Sequence, residues 1–440
     1  MRIGILPSVN PHGGGIYQYS FTMLRALYEC KEEGGEDEFI VFAAEALPTD
    51  LMSLNGRNWT NRSLVLAKPP SLPRMTLDVL RRTIGEGPHR EAWRWLRGVI
   101  HPKAALANLD RVEPCPHVAE QFRRSGVELM LYPSPQPLSF ETEVPYVMAV
   151  HDLQHRLQPE FPEVSANGEW ESREHLFRNG TRYATLLLAD SEVGKEDILN
   201  FYGPYGVTPD RVKVLPFLPA CYLVPDISES ERQRVRTIHQ LPERYLFYPA
   251  QFWPHKNHTR IVQALGLLKQ EHGVEIAAVF CGSHAGEIRE NTFREVMSIS
   301  SQLGLKKNIH YLGYLPDQDI SGMYAEAVAL VMPTFFGPTN IPVLEAWAFG
   351  CPVLSSDIRG IREQVQDAGI LVDPRSVESI ADGIYRLWTD DELSQALIRR
   401  GRQRLATYTP ADYRRRLIEI LQEAKTRVGC SNRAGKLESL

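Results

Sequence analysis

Short apolar runs alternate with longer stretches of helical periodicity along this chain, and a cluster of prolines interrupts the series once. That alternation predicts an α/β fold: parallel strands are joined by crossover helices and buried on both faces, so each reads as a compact apolar run. Before the prolines the predicted strands are Arg2–Leu6, Phe39–Ala43, Leu129–Tyr132, Tyr146–Val150, Thr185–Ala189 and Val212–Leu215. After Pro216, Pro219 and Pro225 they are Tyr245–Ala250, Glu275–Cys281, Asn308–Leu312, Leu330–Met332, Pro352–Ser355 and Gly369–Val372. Two series predict two doubly wound, Rossmann-like domains, residues 1–222 and 223–405, with ligands bound in the cleft that the carboxyl ends of their strands face. An amphipathic helix over about Pro410–Val428 and a polar tail complete the chain at 406–440.

Composition narrows the function. With 49 basic and 54 acidic side chains, the net charge of −5 gives no basis for binding nucleic acid. The longest apolar runs, such as Ala327–Met332, are far too short to span a bilayer. The six cysteines, at 30, 115, 221, 281, 351 and 430, form no Cys-x-x-Cys pair and show no metal-ligand spacing. They predict free thiols, a cytoplasmic location and no metal site. Residues 50–128 break the rhythm and read as an irregular basic insertion. Within it, Lys68–Arg97 combines five arginines, from Arg74 to Arg94, with Trp93, Trp95 and a final Arg97. Two readings stand: a solvated helix or loop with its tryptophans packed inward, or peripheral contact with the inner face of an anionic membrane.

Four loops follow predicted strands. The stretch Met332–Val353 reads as strand, loop, helix, turn and strand, with Asn340 at the N-cap, Pro342 in the first turn and Gly350-Cys351-Pro352 as the stop. The helix start faces the strand's carboxyl end and offers N–H groups to an anion. Glu345, about one turn inside, is placed for hydroxyls rather than for a phosphate; an ordinary surface glutamate favoured by the helix dipole is the alternative. Lys256 follows Gln251-Phe252-Trp253-Pro254-His255 at the start of another helix, where the dipole disfavours a cation unless an anion is bound; a solvated lysine is the alternative. Pro11-His12-Gly13-Gly14-Gly15 follows the first strand but lacks the third glycine of a dinucleotide fingerprint. His151, ending a buried strand before Asp152-Leu153, either touches substrate or is satisfied in the core. Asp317-Gln318-Asp319 has the spacing of a metal-binding Asp-x-Asp, but its place before Ile320–Tyr324 predicts helix capping.

The chain resembles the family-4 retaining glycosyltransferases of GT-B fold. The resemblance is carried by Ile341-Pro342-Val343-Leu344-Glu345-Ala346, Gly350-Cys351-Pro352-Val353, Tyr311–Pro316, Gly369–Pro374, Gly14-Gly15-Ile16 and His151-Asp152-Leu153. It implies an acceptor domain followed by a nucleotide-sugar donor domain, with the final helix packing back on the first. It also implies that Glu345 binds the nucleotide ribose, Lys256 the pyrophosphate, and the backbone of Thr339, Asn340 and Ile341 phosphate and sugar. Tyr314 and Leu315 would hold the base, Gly14 and Gly15 would approach the donor from the other domain, and His151 would contact the transferred sugar. The partners implied are a nucleotide-sugar donor and a glycan or lipid-linked acceptor, without a metal or other cofactor. Two positions depart from the pattern. Gly337 stands where the family has a first glutamate, and Gln251 where an arginine precedes the lysine by five residues. The rival expectations are a nucleotide-sugar epimerase, a phosphorylase carrying pyridoxal phosphate, and a weakly catalytic nucleotide-sugar-binding subunit.

Overall fold

A computed structural model describes residues 1–10, 13–32, 36–66, 109–221, 223 and 226–437. Two parallel sheets organise it. The first holds β1 (Arg2–Ile5), β2 (Glu38–Ala43), β3 (Trp59–Ser63), β4 (Leu129–Tyr132), β5 (Tyr146–Val150), β6 (Leu186–Ala189) and β7 (Val212–Val214), in the order 3-2-1-4-5-6-7. The second holds β8 (Tyr245–Pro249), β9 (Ala277–Cys281), β10 (Ile309–Tyr311), β11 (Ala329–Met332), β12 (Val353–Ser356) and β13 (Ile370–Val372), in the order 10-9-8-11-12-13. Each order reverses once, between β1 and β4 and between β8 and β11. Loops leaving those neighbours diverge to opposite faces and open a crevice at the strands' carboxyl ends.

Alternate residues of the first sheet feed different cores. Ile3, Ile5, Phe39, Val41, Leu129 and Leu131 pack on one face, while Ile40, Phe42, Met130, Tyr132, Tyr146 and Met148 pack on the other. The first of these cores is completed by the last helix, Pro410–Leu437, through Tyr413, Leu417, Ile420, Leu421, Ala424 and Val428. Ion pairs fasten the same helix to the first domain: Arg414 to Glu29 at 2.7 Å, Arg427 to Asp210 at 2.8 Å, and Lys425 to Asp37. The chain therefore crosses between the domains twice.

Two expectations are corrected. The span 50–128 is not irregular throughout: Trp59–Ser63 forms the edge strand β3, and Pro116–Arg124 forms a helix. The strand escapes notice because only Trp59 is buried and the next four residues are exposed, so no apolar run marks it. Asp317 and Asp319 lie in the first turn of the helix Asp317–Glu326, whose N-cap is Pro316, and neither serves as its cap. Asp319 instead pairs with Arg234 and, at 2.8 Å, with His239, holding the helix Glu229–Ile238 in place. The basic stretch Lys68–Arg97, and with it the membrane-contact reading, lies outside the described residues, as do Pro11 and His12. Among the described residues, all six cysteines are free, and no helix is long and apolar enough to cross a membrane.

Candidate functional site

The loop after β8 is shaped by its own backbone. Trp253 O accepts from Lys256 N at 2.9 Å, closing a short 3-10 turn over Pro254–Lys256, and Asn257 then takes a left-handed conformation at φ 64°. Asparagine tolerates that region better than most side chains. Its Nδ2 donates at 2.8 Å to both Pro333 O and Pro374 O, tying this loop to those after β11 and β13. Tyr248 Oη donates to Lys256 O at 3.0 Å, and Phe335 N to His255 O at 2.8 Å. Lys256 is thus presented by a backbone fixed from three strands. Burial pushes its ammonium down to about 8, against the pull of Asp152 and Glu163.

The loop after β11 leads to the helix Ile341–Ala348, with Asn340 at the N-cap position and Pro342 in the first turn. The Asn340 side chain makes no cap bond. Its backbone is clamped instead, N–H donating to Gln364 Oε1 and C=O accepting from Gln364 Nε2, both at 2.9 Å. Gly337 has φ 134°, and a Cβ there would fall 2.7 Å from Asn340 Nδ2 and 2.8 Å from Oδ1. A side chain at 337 would be strained by this backbone and would have to displace the Asn340 amide. Inside the helix, Glu345 is only 4% exposed; Tyr324 Oη donates to its Oε2 at 2.9 Å, while Oε1 has no partner. Burial raises its carboxyl to about 7, and the Tyr324 bond only partly offsets that.

From the first domain, His151 directly follows β5. Its Nε2 donates to Pro133 O at 2.8 Å, and its ring meets Tyr19 edge-on at 4.6 Å. Burial lowers its pKa beyond what the Pro133 bond restores, so the ring is neutral, with the proton on Nε2. Burial pushes Asp152 up, but Arg173 at 2.7 Å and the Gln154 N–H more than offset this and leave it ionised.

These loops enclose a cleft of two adjoining cavities, about 710 and 510 Å3, which share Gly14, Pro249, Ala250, Gln251 and Arg289. The larger brings together Gly14, Gly15, His151, Gln251, Lys256, Thr339, Asn340 and Ile341. The smaller adds Tyr314 and Leu315. Glu345 lines neither cavity, lying a turn below the mouth of its helix. Sequence reasoning missed Arg173, Glu163, Asp190 and Arg289. Asp190 had a visible signal, an acid at the end of an apolar strand, whereas Arg289 lies inside a helix with nothing in its neighbours to distinguish it.

Contacts between the domains border the cleft. Glu163 Oε1 lies 2.6 Å from His255 Nδ1, Gln158 Nε2 donates to Phe335 O at 2.8 Å, and Thr339 Oγ1 donates to Asp190. Residues 229–404, which supply the β8, β11 and β13 loops, match the family model described as glycosyl transferases group 1. The second domain is a group 1 glycosyl transferase domain. The whole chain adopts the GT-B fold. It superimposes on Anabaena Alr3699/HepE, crystallised with UDP and glucose, with TM-score 0.66 at 16% identity, covering 96% of this chain and 99% of that one. It superimposes on WaaG, a glycosyltransferase involved in lipopolysaccharide biosynthesis, with TM-score 0.63 at 14% identity, covering 96% and 99%. In sequence it is 28% identical to the O-antigen chain mannosyltransferase B of Escherichia coli over 219 residues, 50% of this chain and 55% of that protein. It is 25% identical to the D-inositol 3-phosphate glycosyltransferase of Corynebacterium efficiens over 294 residues, 62% and 66% of the two. The first of these curated relatives are matched over about half their length. Within the group 1 domain, Lys256 and the Ile341–Ala348 helix start face the same cavity as His151 of the other domain.

Proposed function

We propose that this protein is a retaining glycosyltransferase that moves a hexose or deoxyhexose from a nucleotide-sugar to a glycan or lipid-linked acceptor, in surface polysaccharide assembly. One observation carries the reading. The switch-point crevices of two Rossmann-like sheets face each other, and the shared cleft holds Lys256 and the start of a helix on one side and His151 with the Gly14-Gly15 turn on the other. A leaving diphosphate needs positive charge at the moment its bond to sugar breaks. Lys256 and the helix N–H groups supply it from fixed positions, so little reorganisation is needed during the reaction. Since Gln364 occupies the Asn340 amide, the amides of Thr339 and Ile341 are assigned to the donor. Glu345, with one unpartnered oxygen, is assigned to the ribose hydroxyls, reached when the donor settles on the helix.

His151 presents a neutral ring to the sugar. Asp152 is committed to Arg173 and is not assigned as a covalent nucleophile; as the acceptor oxygen bonds to the anomeric carbon and the bond to the diphosphate breaks, the acceptor's proton is assigned to the departing phosphate. Charge neutralisation by Lys256 takes the place of a divalent cation, and turnover is expected to persist in EDTA. The test begins with thermal unfolding in the presence of UDP, GDP and dTDP. The matching diphosphate, at a hundred times its Kd, should stabilise the protein by about 2.7 kcal/mol, and its sugar conjugate should then release nucleotide only when acceptor is added. No stabilisation by any of the three, or release of nucleotide without acceptor, overturns the reading.

A further inference from the structure

Arg289 sits in the first turn of the helix Glu287–Gln302, which follows β9. Cations are disfavoured at helix starts by the dipole, and this one is also half-buried. Its Nη1 donates to Gln251 Oε1 at 3.0 Å, and its guanidinium lies over the Trp253 ring, 4.6 Å from the centroid. Both neighbours are neutral. Its Nε is buried without a partner, and among the described residues no carboxylate lies within ion-pair distance. A partly buried arginine is ordinarily matched by an acid, because desolvating a cation without a counter-charge is unfavourable. Here burial lowers its pKa and nothing offsets it.

The surroundings say what the missing counter-charge is. Arg289 is one of the few residues common to both cavities, standing between the Lys256 end of the cleft and the Tyr314 end. Its support is also built for the purpose. Gln251 Oε1 accepts from Trp253 Nε1 at 2.9 Å as well as from Arg289, so one amide oxygen orients the indole and the guanidinium together. Gly282, at φ 129°, lets the β9 loop lie against the β8 loop. A Cβ there would fall 2.5 Å from Ala250 O and 2.9 Å from Gln251 N. A larger residue at 282 would push the Arg289 helix away from Gln251.

We infer that Arg289 is the second cation of the donor site and binds the diphosphate together with Lys256, with Gln251 as its positioning residue. This inference rests on the donor-site reading of the cleft. It assigns Gln251 a function: an arginine there would occupy the volume that the Arg289 guanidinium fills and repel it.

The test uses isothermal titration of the full chain with the nucleoside diphosphate chosen by thermal unfolding, and with its parent nucleoside. Arg289→Ala and the bulkier neutral Arg289→Gln should each weaken diphosphate binding about 10- to 100-fold, the range for loss of a charged hydrogen bond. Nucleoside affinity should stay within about threefold, since the lost contact is to phosphate. The double variant Gln251→Arg, Arg289→Ala should recover at least about tenfold, because it returns a guanidinium to the same volume. Unchanged diphosphate affinity in both single variants overturns the inference and leaves the donor-site reading standing. So does equal loss of nucleoside and diphosphate, which marks a merely structural role. Failure of the unsubstituted protein to bind any diphosphate overturns both.

Discussion

At the residue scale the site is governed by two groups, the half-buried Lys256 and the buried Glu345, whose charges respond in opposite directions to pH. Lys256, at about 8, is mostly protonated at neutral pH and loses its charge well below the usual lysine range. An anion beside it favours the charged form, so binding of a nucleoside diphosphate near pH 8 should take up protons. Titrations in buffers of different ionisation enthalpy read that uptake directly, and affinity should decline as pH rises beyond 8. Lys256→Ala should cost about 100-fold or more in kcat/KM, as expected for a group that stabilises leaving-group charge. Steady-state transfer assays check this, and near-normal turnover would remove Lys256 from its assigned role.

Glu345 has the reverse sign. Its folded-state pKa is raised from 4.5 to about 7, so its contribution to stability is fully present below about 4.5 and is lost as pH rises through 7. Glu345→Gln keeps an acceptor for Tyr324 and removes the charge. Urea unfolding should find the variant roughly 1–3 kcal/mol more stable than the parent at pH 8 and little different at pH 4.5. The same variant should bind nucleotide more weakly, since an amide accepts ribose hydroxyls less strongly than a carboxylate does.

At the scale of elements, the loop Thr334–Asn340 is set by conformation rather than by side-chain chemistry. Gly337→Ala forces a Cβ against the Asn340 amide in a backbone region that L residues rarely adopt. It should cost about 1–3 kcal/mol by chemical denaturation. Recovery by a second change, Asn340→Ala, would show that the Asn340 contact is the cause. How much was legible follows the same division. The core strands announced themselves because burial on both faces leaves uniform apolar runs, and loops after them carried most of the site. Trp59–Ser63 was illegible because an edge strand with four exposed residues looks like a loop. Arg289 was illegible because its distinction is spatial: Gln251 and Trp253, 38 and 36 positions earlier, give it its setting. Asp319 was misread because its partners, Arg234 and His239, come from another helix and the residue that ends it.

Across the whole molecule, the two domains meet at the cleft's border through a few polar contacts and the Phe161–Phe335 ring pair. Arg359 reaches from the second domain to Asp197 at 2.5 Å and to Glu196 in the first. Arg359 and Glu196 are substantially exposed while Asp197 is buried, so the cluster stabilises the contact by about 1–2 kcal/mol. The same amount shifts an open–closed equilibrium several-fold. Arg359→Ala should therefore leave the unfolding midpoint nearly unchanged while raising KM for the donor several-fold. Small-angle scattering should show a larger radius of gyration, and an unchanged radius would mean that the remaining contacts hold the domains by themselves.

The returning helix has a consequence for how the molecule is made. The first core lacks Tyr413, Leu417, Ile420 and Leu421 until the ribosome has already released the whole second sheet. Domains made first ordinarily fold first during synthesis. Here the order is expected to invert: the later domain should close on its own, while the earlier one should wait on the ribosome with an apolar groove uncovered. Arrested nascent chains ending near residue 405 should expose that groove to chaperones, and chains extended past residue 430 and clear of the exit tunnel should not.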